Sequence, residues 1–114
     1  MIVCIPVTPD GRVGGGFGRA QAVAVADVTS GQIAGWDVVQ VDWGVLHGSG
    51  SEGAHHARIA RFLRERAVQA VVAGHMGPGM SRMLATMGIA TTLGAVGDAR
   101  AAVLAALAGD PPQG

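Results

Sequence analysis

Ala70-Val71-Val72-Ala73 runs directly into Gly74-His75-Met76-Gly77-Pro78-Gly79-Met80, and this junction narrows the folds open to the chain. The apolar run is too short for a buried helix and long enough for a buried strand. It stops at a glycine, and Gly-Pro-Gly then opens a helix, with proline where a missing N–H does no harm. Strand, tight turn and helix N-terminus in that order mark the edge of an open α/β sheet where ligands usually bind. His75 and Met76 sit in the turn, beside helix N–H groups that have no intrahelical partner.

The rest of the chain supplies the sheet. Ile2 to Val7 reads as a central strand, apolar almost throughout. Thr8-Pro9-Asp10-Gly11 is a turn, and the segment from Arg12 to Arg19 sets four glycines around Phe17. Ala22 to Ala26 and Ile33 to Val41 are the next strands, joined by a turn over Asp27 to Gly31, which gives an antiparallel meander. Asp42 to Gly53 is a glycine- and serine-rich loop carrying His47. A helix follows from Glu52 to about Arg66, with Ser51 as N-cap and Ile59, Phe62 and Leu63 as its core face. Val68 to Ala73 is strand four. Pro78 to Met87 is a helix with a Met80, Met83, Leu84, Met87 core stripe, ended by Gly88. Ile89 to Leu93 is the last strand and Asp98 to Ala108 the last helix. The order β-β-β-α-β-α-β-α predicts an α/β fold: a mixed five-stranded sheet of ribonuclease H-like architecture with helices packed on it. At 114 residues the chain makes one domain, over residues 1–110, with 111–114 as a short flexible tail.

Composition excludes several functions. Half of the residues are hydrophobic and only 14% charged, so the chain is not disordered. Gly, Asp or Arg interrupts every apolar run before the roughly 20 residues of a membrane span, so no membrane association is expected. The first strand begins with no basic lead or cleavage pattern, which reads as cytoplasmic. All eight basic residues are arginines, scattered at zero net charge, so nucleic acid is not an expected partner. The single cysteine, Cys4, lies mid-strand and cannot form a cysteine cage within one chain. Strand one carries no carboxylates for a two-metal nuclease, and no Ser-His-Asp elbow occurs, so no catalytic residue is expected.

With these motifs in place, the chain resembles the dinitrogenase iron–molybdenum cofactor biosynthesis family of small NifX-like proteins. The opening strand with Gly11 and Val13 looks like the family's start, and Phe17-Gly18-Arg19-Ala20 is similar to its phenylalanine–glycine–arginine–alanine signature. Ala73-Gly74 with Gly77-Pro78-Gly79 looks like its glycine-rich turn, and Gly88-Ile89 and Gly94-Ala95 continue the register. The resemblance spans essentially the whole chain. It implies binding or carriage of an iron–sulfur or iron–molybdenum cofactor precursor, with cofactor donor and acceptor proteins as partners and a monomer or homodimer as the unit. Two positions depart from the family pattern. Gly16 stands where histidine is often found, and His75 where glycine is common.

Sheet connectivity should bring the candidate residues to one rim. His75, Met76, Gly77 and Gly79 would form a floor, His55 and His56 a wall, and Phe17 and Arg19 a lid over an anionic metallocluster. His55, His56 and His75 are the candidate metal ligands, since imidazole suits intermediate metals. The competing reading makes them surface or capping histidines, because no HxxxH or CxxC spacing exists. Gly77-Pro78-Gly79 and Gly97-Asp98 also resemble anion cradles at helix N-termini, which supports a metal-independent alternative: a small-molecule anion sensor or a small enzyme.

Overall fold

β1 (Ile2–Val7) occupies the middle of the sheet because residues 3–7 are buried on both faces. The computed structural model describes residues 1–46 and 52–109. β2 (Ala22–Thr29) pairs with β1 antiparallel, and β3 (Gln32–Gln40) pairs antiparallel with β2 at one edge. β4 (Ala70–Val72) lies parallel to β1 on its other side, and β5 (Ala90–Thr92) lies parallel to β4. The strand order is β3-β2-β1-β4-β5, the mixed five-stranded sheet expected from the sequence.

Helices cover both faces. α1 (Trp43–Leu46), α2 (Glu52–Glu65) and α3 (Pro78–Thr86) are joined by α4 (Ala99–Leu107). Cys4, Val23 and Val71 point to one face and pack with Ile59 and Leu63 of α2 and Met80 and Leu84 of α3. Val3, Ile5, Ala24 and Val72 point to the other and pack with Ala99 and Val103 of α4. This alternation is the period-2 rule of a strand, and cover on both faces explains why β1 and β4 read as unbroken apolar runs. In the methionine stripe, Met80 and Leu84 are buried while Met83 and Met87 are half-buried against the same core.

Two local expectations needed correction. β2 does not end at Ala26 but continues to Thr29 through a bulge between Asp27 and Val28. The turn is instead the pair Ser30 and Gly31, at φ 53° and 75°. Two successive positive φ values match the right-handed twist of a two-residue hairpin, so the chain reverses in less space than the sequence indicated. Trp43 was expected in a loop and instead starts α1, with only 2% of its surface exposed. His47, Ser51 and the tail over 111–114 lie outside the described residues.

β1 and β4 point the same way, so the segments that follow them emerge at one edge. Crossover helices run back against the strands, which brings the N-termini of α2, α3 and α4 to that edge too.

Candidate functional site

The glycine loop after β1 is tied down from three directions. A 3₁₀ turn over Phe17–Arg19 plunges the Phe17 ring into the core, where it is fully buried. The ring meets Trp43 edge to face at 5.4 Å between centroids, and Trp43 meets Phe62 of α2 in the same way at 5.5 Å. Such pairs add about 1 kcal/mol each beyond their area burial. From α2, His55 donates its Nε2 proton to the Gly18 carbonyl at 2.8 Å, which fixes the neutral ring as the Nε2–H tautomer. From the turn after β4, the His75 carbonyl accepts the Phe17 N–H at 3.0 Å, within a parallel bridge between Gly16 and His75.

These ties create a cleft of about 400 Å³. Phe17, Arg19, His55, His56, His75, Met76, Gly77 and Gly79 all line it, so the three separate segments named from the sequence share one rim. Their roles differ. Phe17 cannot act as the expected lid, because its ring is locked in the aromatic stack; Arg19 is exposed at the mouth. His55 is 1% exposed and holds the loop, whereas His56 is half-buried and His75 exposed. Met76 is half-buried, packed on the core beneath the turn.

The expected three-histidine metal set is not assembled. Among the described residues, no three His, Cys, Asp or Glu side chains stand close enough to share an ion. The reason lies in the helix: His55 commits Nε2 to Gly18, and the adjacent His56 ring lies 6.3 Å away at a 45° tilt. Successive helical residues diverge by about 100°, so neighbours rarely converge on one point.

The described lining of the cleft carries positive charge. Arg19 and Arg82 line it, and no carboxylate stands among its described lining residues. Arg82 was missed by the sequence reading, although its spacing of three from Gly79 sets both on one face of α3. The N-terminus of α3 also opens here: Gly77 caps it without any side-chain hydrogen bond, and Pro78 follows as the first residue. Free N–H groups and a positive helix end favour an anion at such a position. The second expected cradle, at Gly97-Asp98, is already filled by the protein itself. Asp98 accepts a hydrogen bond from the Ala101 N–H at 2.9 Å and caps α4 with its own carboxylate.

Cys4 takes no part. It is fully buried, and burial pushes its thiol up to about 12, only partly opposed by the Arg66 charge. No thiolate is therefore available from the chain's one cysteine, and sulfur contact at the cleft falls to thioethers such as Met76.

Comparison with known proteins agrees with this architecture. A crystal structure of the protein PH0822 is 20% identical and covers 96% of this chain and 93% of its own, at a TM-score of 0.76. The apo form of the orange protein from Desulfovibrio gigas is 22% identical, with 99% and 92% covered and a TM-score of 0.74. An NMR structure of a proposed NifB protein from Thermotoga is 23% identical, with 95% and 88% covered and a TM-score of 0.69. At these identities the likeness establishes the fold. No protein among those with curated descriptions matches the sequence. The model of the dinitrogenase iron-molybdenum cofactor family matches residues 1–109, and the chain belongs to that family.

Proposed function

We propose that this protein binds and carries an anionic metal–sulfur cluster of the iron–molybdenum type, or its precursor, without turning it over. The observation that carries the reading is the charge of the cleft: two arginines, histidines and a helix N-terminus with no side-chain cap, with no carboxylate among the described lining residues. The family's association with the iron–molybdenum cofactor points to the same class of cargo. Arg19, Arg82 and the α3 N–H groups supply fixed positive potential, His56 and His75 supply imidazole, and Met76 supplies a soft wall. His55 and Phe17 hold the loop that carries Arg19.

The donor set fits a finished cluster better than bare metal. With Cys4 protonated in the core, the chain offers no thiolate on which to assemble iron and sulfide. The cargo would bring its own sulfide ligands, passed from a donor protein and on to an acceptor. Among the described residues no helix is long and apolar enough to cross a membrane, so nothing in them ties this exchange to a bilayer.

A metal-independent anion site is the second reading, favoured by the lack of any three-ligand group among the described residues. Anaerobic gel filtration with ferrous iron and tetrathiomolybdate separates the two. Carriage predicts iron, molybdenum and visible absorbance co-eluting with the protein, undiminished by excess phosphate or citrate. Displacement by phosphate or citrate favours the second reading, and no co-elution at all ends the first.

A further inference from the structure

The imidazole of His75 lies over Gly16 with no room for a side chain between them. A Cβ built on Gly16 would stand 2.8 Å from His75 Cε1, 3.4 Å from Nδ1 and 3.6 Å from Nε2. The neighbouring Gly15 leaves 3.7 Å to Nε2, an ordinary contact. Gly16 is not glycine for its backbone: φ −78° and ψ 135° suit any residue. The two backbones cannot separate to make space, because the Phe17 N–H to His75 carbonyl bond and the parallel bridge hold them in register. What must yield to a larger residue is therefore the exposed ring of His75.

The ring's position has a use. His75 lines the cleft described above and also a second one of about 440 Å³ on its other side, walled by Arg12, Gly14, Gly15, Gly94 and Gly97. One imidazole thus stands at the boundary of both clefts. A side chain at position 16 would project into the volume this ring now fills.

We propose that Gly16 is a positioning residue that seats the His75 imidazole at this boundary, and that positions 16 and 75 form one unit supplying a single imidazole to the cargo. The cargo is of the anionic metal–sulfur class proposed above, so the binding half of this inference rests on that reading. The seat itself does not.

The test has two arms. In the unloaded protein, a nuclear Overhauser contact between His75 Hε1 and the Gly16 α protons is expected, and Gly16→Ala should displace the ring and shift the His75 Hε1 and Hδ2 resonances while leaving distant amide signals unchanged. If Gly16→Ala lowers the melting temperature, adding His75→Ala should restore it, because the clash is gone. Absence of the contact in the wild type, unchanged His75 ring resonances in Gly16→Ala, or a loss that His75→Ala fails to relieve, overturns the seat. In the second arm the probe is ferrous iron with tetrathiomolybdate. Gly16→Ala and His75→Ala should each weaken binding about tenfold, with the double variant no worse than His75→Ala alone, the non-additivity expected of one unit. Gly16→His with His75→Ala should recover to within about threefold of wild type on the same scale. Additive losses or no recovery overturn the shared-imidazole claim. Failure of the wild type to bind the probe refutes the cargo assignment, and the first arm then decides the seat alone.

Discussion

His55 reaches from the first turns of α2 to the carbonyl of Gly18 with an Nε2–O separation of 2.8 Å, and its ring is almost completely enclosed. The bond is part-buried, and a part-buried carbonyl that loses its donor keeps much of its desolvation cost. His55→Ala removes the donor and leaves a void, so a stability loss of about 3 kcal/mol is expected in urea unfolding. His55→Phe fills the space but leaves the Gly18 carbonyl unpaired, and should still lose about 1–2 kcal/mol. A neutral His55→Phe would mean that the bond contributes nothing to the loop.

Phe17 should behave as core. Its ring is the first member of the Phe17–Trp43–Phe62 stack. Phe17→Ala is expected to cost about 4 kcal/mol and Phe17→Leu only about 1–1.5 kcal/mol. If Phe17→Ala unfolds at the wild-type denaturant midpoint, the ring is free of the core and could act as a lid after all.

Cys4 gives the protein an alkaline limit. Its folded thiol is raised to about 12, from an ordinary value of 9.0, chiefly by burial. The unfolded chain therefore releases this proton first as pH rises. Stability from this group is whole below about pH 9 and declines between 9 and 12, by at most about 1.4 kcal/mol per unit. Unfolding of wild type and Cys4→Ala at pH 8 and 10 checks this: the gap between them should shift against wild type at pH 10. In the native state at pH 8 the thiol should also resist Ellman's reagent, and Cys4→Ala should load the cluster probe as the wild type does.

Arg19 and Arg82 are the two guanidinium groups of the cleft. Replacing both with Gln should weaken the tetrathiomolybdate probe about tenfold in low salt. The difference should shrink markedly at 0.5 M salt, since screening shortens the reach of exposed charges. An equal loss at both salt concentrations would assign the effect to packing.

The strand and helix order was legible because β1 and β4 are continuous apolar runs and Pro78, Gly88 and Asp98 mark helix limits at their own positions. The co-location of residues 17–19, 55–56 and 75–79 was legible too, since crossover helices must start at the edge where parallel strands end. Side-chain roles were not. Helical spacing puts His55 on the inner face, but only the tertiary approach of Gly18 gives it a partner. Trp43 was hidden among glycines and serines, and its burial depends on Phe17 and Phe62 arriving from distant segments. The cradle at Gly97-Asp98 looked open because sequence does not tell an N-capping aspartate from a free one. Gly16 stood in the sequence only as one of four glycines around Phe17 and a departure from the family pattern, whereas its neighbour His75 is what excludes a side chain.

Amide and imidazole shift mapping during anaerobic addition of ferrous iron and tetrathiomolybdate tests the central claim most directly. The account predicts shifts or broadening concentrated at residues 16–19, 55–56 and 75–82, with β3 and the outer face of α4 unchanged. Perturbation centred away from those segments, or none at saturating probe, contradicts it.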